Sequence, residues 1–578
     1  MKKEFENVHQ LKTELWNRRL EWLQSETSCD WSNEDLDRVL KKMKNHKARD
    51  PHGLINEIFK PGVIGSNLRA GIIQLVNGIK HNFYYPDYLQ WANITTIYKK
   101  RGSRLSLDSD RGIFVTSILK KTIDQLIYYD KYEHIDGNMS DSNIGGRRKK
   151  NIKNHLFIIY GIINSVMKGD ADPIDIQIYD IEKAFDALWL EDTMNDLIDT
   201  IPTNHLDDKM ALLYEGNKKN MVAINTGVGQ TDRVNIPQIV MQGGTWGPIM
   251  CPDLKIHGHK MQKVLSDNYL GDIISADGSN RVNLKDRIGK GHGRISEIMS
   301  ILDTISFGSQ YFRIFTLLRE SMFVNSILTN AEIWVGLKES ELSELEDLDR
   351  FLLRKAFQCP VTTPKEACHL ELGLLPIGSL LKSRRLNYLH YILKSEENGM
   401  LRKFFIAMYE NPSKDDWSVQ AGSDLKDLNI KEDLANIKSL SEAAFKKMVK
   451  KNVKEFALDE LNQKKFEHIK MDNLVYTELE IQDYLLDEDI STEQKRNIFK
   501  FRTMMSDFAG NYSSSDTPQP CKMCFFHRDS QSHAVNCHET MKNVTAKGNY
   551  NEIFSKQISK KTACMLEQII ESRKNKLG

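Results

Sequence analysis

Residues 178–186 read IYDIEKAFD. Ahead of them Ile174, Ile176 and Ile178 alternate with other residues, the period-two pattern of a strand, and behind them ALWLEDTMNDLI has the spacing of a helix. The reading puts Asp180 at the carboxyl end of a buried strand, with Phe185 and Asp186 opening the helix that follows. A carboxylate at that point suits metal-assisted chemistry, although Asp180 alone would serve equally as a helix N-cap. Metal-assisted group transfer needs further carboxylates converging on the same ions. Whether the chain supplies them decides how it is read.

The composition sets wide bounds. A chain of 578 residues is too long for one core and implies several domains or subdomains. Lys and Arg number 80 against 79 Asp and Glu, so any nucleic-acid site must be a local patch and not a property of net charge. No apolar run approaches the ~18 residues of a membrane span, so no membrane contact is expected. The amino terminus MKKEFENVHQLK lacks the apolar stretch of a secretory signal. Eight cysteines are scattered, and only Cys521, Cys524 and Cys537 cluster, which favours a reducing, intracellular setting, nuclear or cytoplasmic, and a metal site over disulfides.

Along the chain, residues 1–45 have helical spacing, with Ser32 as an N-cap, and KARDPHGL (47–54) breaks the helix at Pro51 and Gly53. WANITTIYKKRG (91–102) alternates as a strand and ends in basic residues, and DRGIF (110–114) follows a polar loop. GGRRKKNIKNH places five basic residues from Arg147 to Lys153 ahead of the apolar helix HLFIIYGIINSVM. Residues 254–275 read as a hairpin turned at Gly258 and then a strand. From about residue 290 the chain is helical, with Leu342, Leu345, Leu348, Leu352 and Ala356 on one face. Residues 411–425 and SSSDTPQP (513–520) read as linkers, with 430–510 helical between them and no internal repeat. After the second linker, Cys521-x2-Cys524-x8-His533-x3-Cys537 offers four ligands within 17 residues, a spacing that suits tetrahedral Zn²⁺, with His527 and His538 competing for a place.

Taken together the segments resemble the reverse transcriptase of non-LTR (LINE-like) retrotransposons. The resemblance rests on KARDPHGLINEIFK, WANITTIYKKRGS followed by DRGIF, IYDIEKAFD, MQGGTWGPI (241–249), NYLGDII (268–274) and CKMC…DSQSHAVNC, in the family's order and over nearly the whole chain. It implies an α+β right-hand polymerase: a helical extension (1–45), fingers (46–167), a truncated palm (168–276), a helical thumb (277–410), a helical C-terminal region (426–512), a zinc-knuckle-like module (519–540) and a basic helical tail (541–578). It implies RNA and DNA as partners, as template and primer, and Mg²⁺ in the parent family beside Zn²⁺ here. It leaves the oligomeric state open. By the same resemblance, Asp180 and the Ile181 carbonyl match the family's metal ligands, and Phe185, Gln242, Gly243 and Arg111 its nucleotide contacts. Lys99, Lys100, Arg147, Arg148, Lys149 and Lys150 match template contacts, and Tyr269, Leu270 and Gly271 the turn that grips the primer. Trp246 departs from the small residue usual before the family's proline.

The family's strand–turn–strand with two adjacent aspartates is missing. Asp207-Asp208 precedes Gln242, and Asp415-Asp416 lies far downstream. Between Pro248 and Tyr269 stand 20 residues, 249–268, whereas two helices and a two-stranded hairpin need at least ~32 before any loop. The junction IMC-PDLKIHG reads as an excision. Two-cation transfer holds its ions ~3.5–4 Å apart with several carboxylate oxygens, and one aspartate cannot bridge and balance them. Asp253 and Asp272 flank the junction, and to substitute they would need sub-ångström placement around the ions. The leading expectation is a reverse-transcriptase-like protein without a competent polymerase centre. The alternatives are a nonspecific nucleic-acid-binding or structural remnant without enzymatic activity, and an active enzyme with a rebuilt metal site. Target cleavage is not expected, since no nuclease segment is read in the chain.

Overall fold

The computed structural model describes the chain apart from residues 1, 100–102, 104, 105, 107, 108, 141, 142, 146, 149, 171, 179–188, 227, 228, 237–263, 414, 415, 466–470, 512–518 and 578. It is mixed α+β, with helices dominant and little sheet. The chain forms two compact units, Met1–Ile152 with Gln177–Gln262, and Lys153–Ile176 with Lys263–Gly578.

The first unit has a helical core and a small sheet. Its helices Lys2–Ser25, Asn33–Lys42, Ser66–Asn82, Ile118–Asn138, Leu190–Asp199 and Asp208–Asn217 bury Trp16, Leu36, Val76, Ile127, Met194 and Met210 together. The first helix is no appendage, because Trp16 and Leu23 are fully buried in that core. Ser32 caps the second helix as expected: its Oγ accepts from Asp35 N (3.2 Å) while Asp35 Oδ2 accepts from Ser32 N (2.9 Å). At the expected turn, Gly53 takes φ +80°. Asp50 Oδ1 accepts from the backbones of His52 and Leu54, and its Oδ2 from Ile118 N, tying the turn to a helix start.

In the sheet, β1 (Trp91–Tyr98) lies between β2 (Asp110–Thr116), antiparallel, and β3 (Asn220–Thr226), parallel. The short strands β4 (Gly229–Gln230) and β5 (Val234–Ile236) pair antiparallel with β3. The strand expected ahead of Asp180 is not formed in its described part. Residues 172–178 have no regular structure, and Ile174 (47%) and Ile176 (41%) are exposed. Alternation supplies a face for a strand but does not supply the neighbouring strand that a sheet needs.

The second unit is a helical body with one hairpin, β6 (Ser266–Tyr269) and β7 (Asp272–Ser275). Within 254–275 the described turn is therefore at Leu270-Gly271, and Gly258 lies outside the described residues. Helix Ile152–Lys168, expected among the fingers, buries Leu156, Phe157 and Tyr160 in this unit's core. In helix Glu339–Phe357 four of the five face residues, Leu345, Leu348, Leu352 and Ala356, are buried, and Leu342 is partly buried against the same core. The expected linker 411–425 is corrected: Trp417–Asp427 is a helix. Trp417 is fully buried, its Nε1 donates to the Glu332 carbonyl (2.7 Å), and its ring meets Phe157 edge-on at 5.0 Å. A single tryptophan with a satisfied N–H converts a polar, glycine-containing stretch into core. Within 541–578, helix Lys560–Leu577 buries Ala563, Leu566 and Ile569 in the same core. Among the described residues no helix is long and apolar enough to cross a membrane.

Candidate metal centre

The residues from Cys521 to Cys537 fold around their sulfurs. The Cys521 backbone N–H donates to the His527 carbonyl (2.6 Å) and Phe525 N to the Cys521 carbonyl (2.8 Å), while Pro520 and Arg528 form an antiparallel bridge. This closes a tight turn carrying Cys521 and Cys524, with Phe525 at φ +63°. Ser530 caps the short helix Gln531–Ala534 by accepting from His533 N (3.1 Å), which sets the imidazole beside the turn. Cys537 is the N-cap of His538–Met541.

The three sulfurs and the His533 nitrogen all lie within 4.8 Å of one another. Cys521 and Cys537 Sγ are 4.0 Å apart, and Cys524 Sγ is 3.3 Å from His533 Nε2. A tetrahedron with Zn–S bonds of about 2.3 Å has edges of about 3.8 Å, so the donors stand where such a site needs them. The cluster can hold a metal ion, and its soft donor set suits Zn²⁺. His533 takes the fourth place. His527 stacks on it at 4.7 Å with Nδ1 3.9 Å from Cys524 Sγ, and His538 turns away to Glu539 (3.4 Å).

Thiolate chemistry is prepared by the backbone. Hydrogen bonds from the His527 and Phe526 N–H groups, then from the His527 ring, hold the Cys524 thiol down at about 5. Burial pushes Cys521 up against similar backbone bonds, one of them from Met523 N (3.4 Å). Zn²⁺ with three thiolates and a neutral imidazole carries one net negative charge. Arg573 answers it: its guanidinium reaches Cys521 Sγ at 4.0 Å, holds Asp529 at 2.8 and 3.1 Å, and lies 4.5 Å over Phe508. The ligand spacing marked the three cysteines and offered His533 among competing histidines, but nothing local in the sequence connects Arg573, 36 residues beyond Cys537, to them.

The other nominated residues are distributed as follows. Asp180, Ile181, Phe185, Gln242, Gly243, Lys100 and Lys149 lie outside the described residues, as do Trp246 and Asp253. Lys99 and Arg111 are exposed near one end of the β1–β2 pair, where Ile97 faces Arg111 and Lys99 N donates to the Ser109 carbonyl. Arg147 is buried, and its guanidinium is committed to the Asp136 carboxylate (2.8 Å) and to the carbonyls of Asp136, Ser140 and Asn143, which accounts for four of its five N–H groups. Arg148 lies over Tyr132, Tyr129 and Tyr128 at 4.1, 4.7 and 5.1 Å. Lys150 is half-buried. Tyr269, Leu270 and Gly271 form the turn of β6–β7, with Tyr269 packed on the second unit's core.

Asp272 is fully buried and pairs with Arg287, with further donors in Trp334 Nε1 (3.2 Å), Tyr160 OH (3.3 Å) and Asn330 Nδ2 (3.5 Å). As a replacement catalytic ligand it is excluded, because its oxygens are spent inside the fold. Asp207 caps helix Asp208–Asn217, and Asp208 accepts from Ser28 N (3.2 Å), so both carboxylates are engaged in holding the first unit's fold. A comparison with protein-family models finds no match, and a comparison with curated proteins finds none either.

Proposed function

We propose that the chain is a reverse-transcriptase-like protein of the non-LTR retrotransposon type that binds RNA and DNA, carries a C-terminal zinc module and has no working polymerase centre. The observation that carries this reading is the interval of 20 residues from Pro248 to Tyr269, set inside an otherwise ordered series of motifs. The chain retains Asp180 and the turn at Leu270-Gly271, but the interval leaves no room for the strands that would bring two more carboxylates to the ions. The burial of Asp272 supports the same reading by removing one of the two residues that could have stood in for them. Support for the nucleic-acid side comes from the exposed Lys99 and Arg111 at neighbouring strand ends and from the Cys₃His cluster.

A primer-extension assay on a primed RNA template, with Mg²⁺ or Mn²⁺, tests the claim on zinc-loaded protein. The expected outcome is template binding that weakens steeply with salt, and no extended product from either the parent or Asp180→Asn. Extension by the parent that disappears in Asp180→Asn would establish a working centre and overturn the reading.

A further inference from the structure

Two cysteines outside the metal cluster, Cys359 and Cys368, are brought together where helix Glu339–Phe357 gives way to helix Lys365–Leu372. The first helix ends at Gln358, whose φ of +49° turns the backbone so that Cys359 N donates to the Arg354 carbonyl (3.2 Å). Residues 360–363 then reverse the chain, with Thr363 N donating to the Pro360 carbonyl (3.0 Å). Arg354 clamps that reversal, its Nε donating to the Thr363 carbonyl (3.2 Å). The second helix starts after Pro364 and carries Cys368 back at the end of its first turn. Cys359 packs against the core that holds Cys368, and the Cys368 S–H donates to the Cys359 sulfur.

The two sulfurs are not equivalent. Cys368 has no exposed surface, whereas Cys359 is half-buried beside a surface loop in which Val361 is 78% exposed, which leaves it open to a small oxidant. The Cys368 thiol, with the Arg354 and Lys500 cations behind it, holds the Cys359 thiol below its ordinary range against the effect of burial. That same hydrogen bond, and then burial, push Cys368 well up. An accessible sulfur with thiolate character beside a closed, protonated one is the arrangement of an attacking and a resolving cysteine. We propose that Cys359 and Cys368 are a redox pair, in which hydrogen peroxide oxidises Cys359 and Cys368 resolves it as a reversible disulfide across the loop. The Cys359 thiolate attacks one peroxide oxygen, the O–O bond breaks, hydroxide leaves, and the sulfur becomes a sulfenic acid. The Cys368 sulfur then displaces that hydroxyl, which departs as water with the Cys368 proton, and the S–S bond forms. A dithiol reductant returns both thiols. The pair is separate from the metal ligands and independent of the nucleic-acid reading.

The test treats the full zinc-loaded chain with hydrogen peroxide, blocks free thiols with iodoacetamide and reads the non-reduced tryptic digest by mass spectrometry. Cleavage after Lys355, Lys365 and Lys382 puts Cys359 and Cys368 on separate peptides, 356–365 and 366–382, so a disulfide between them is seen as a linked pair. The linked pair should form at peroxide concentrations about tenfold below those that oxidise Cys29, which is exposed and controls for access alone. It should disappear on treatment with dithiothreitol. In Cys368→Ala the sulfenic acid should persist on Cys359 and be captured by dimedone, whereas the parent should show little adduct there. Because Cys368 lies in the core, the linkage in the parent decides the matter without that variant. No linked pair at a peroxide dose that has already oxidised Cys29 would overturn the proposal. Conversion of Cys359 to sulfinic acid in the parent with Cys368 still a free thiol would overturn it too.

Discussion

Asp272 shows how differently one carboxylate reads in sequence and in space. In sequence it follows a glycine at the turn ahead of a helical region. In space it has no exposed surface, and its donors come from Tyr160, Arg287, Asn330 and Trp334. Those partners are 15 to 112 residues away along the chain, so no local pattern could have revealed them. Burial, and then the adjacent carboxylate, pushes the Tyr160 hydroxyl far above its ordinary range, so it remains a donor to Asp272. Replacing Asp272 with Ala leaves the Arg287 guanidinium buried without its counter-charge, an error that costs about 3–5 kcal/mol. Urea unfolding of Asp272→Ala should show a loss of that order if unfolding is two-state, whereas Asp286→Ala, in a partly exposed pair with Lys290, should cost under about 1 kcal/mol. Equal, small losses from both would mean that the buried network contributes nothing.

The hairpin β6–β7 makes a second demand that the sequence only half meets. A two-residue loop joins strands whose register puts Tyr269 opposite Asp272, and both loop residues have positive φ, +53° at Leu270 and +90° at Gly271. The twist of paired strands favours such turns, and Asn-Gly is their preferred sequence; here the glycine is present and the first position holds a leucine. Leu270 is 40% exposed and so recovers only part of the strain by burial. Leu270→Asn should therefore stabilise the protein by about 0.5–1 kcal/mol, read as a higher unfolding midpoint, and a lower midpoint would mean that the leucine's contacts outweigh its backbone cost. Elements with local signals were legible: the Ser32 cap, the alternation of β1 and the leucine face of Glu339–Phe357 all appear where the residues put them. Elements that depend on a partner were not. Residues 172–178 alternate without forming a strand, and Trp417–Asp427 is a helix because one tryptophan finds a slot among Phe157, Tyr388 and Phe405.

The division of the molecule was the least legible level, because the chain leaves the first unit at Ile152, returns to it at Gln177 and leaves again after Gln262. Periodicity marks helix Ile152–Lys168 as apolar but cannot say which core takes it. The cysteine spacing, by contrast, marked the three sulfurs and left His533 in competition with His527 and His538, while concealing how the module is held. Ligand-spaced cysteines between a polar stretch and a basic helix suggest a separate knuckle, yet this one is bolted to its unit. Gln531 Nε2 donates to the Phe501 carbonyl (2.8 Å) and the Tyr550 hydroxyl (2.9 Å), Gly510 N to the Asp529 carbonyl (2.7 Å), and Arg573 spans Asp529 and Cys521. Metal loss should therefore loosen the surrounding helices and not the turn alone. Purified protein should carry about one zinc per chain, and Cys521→Ser/Cys524→Ser essentially none, with equal metal in the two disproving the site. On chelation, hydrogen exchange should quicken across 519–541 and along helix Lys560–Leu577, while Glu339–Phe357 and the first unit keep their protection. Arg573→Gln should bind zinc about 10–100-fold more weakly, because the anionic cluster loses the cation beside Cys521. If chelation instead left Lys560–Leu577 as protected as before, the packing of Arg573 and Gln531 would be sufficient without the ion, and the metal would be holding only the aromatic turn.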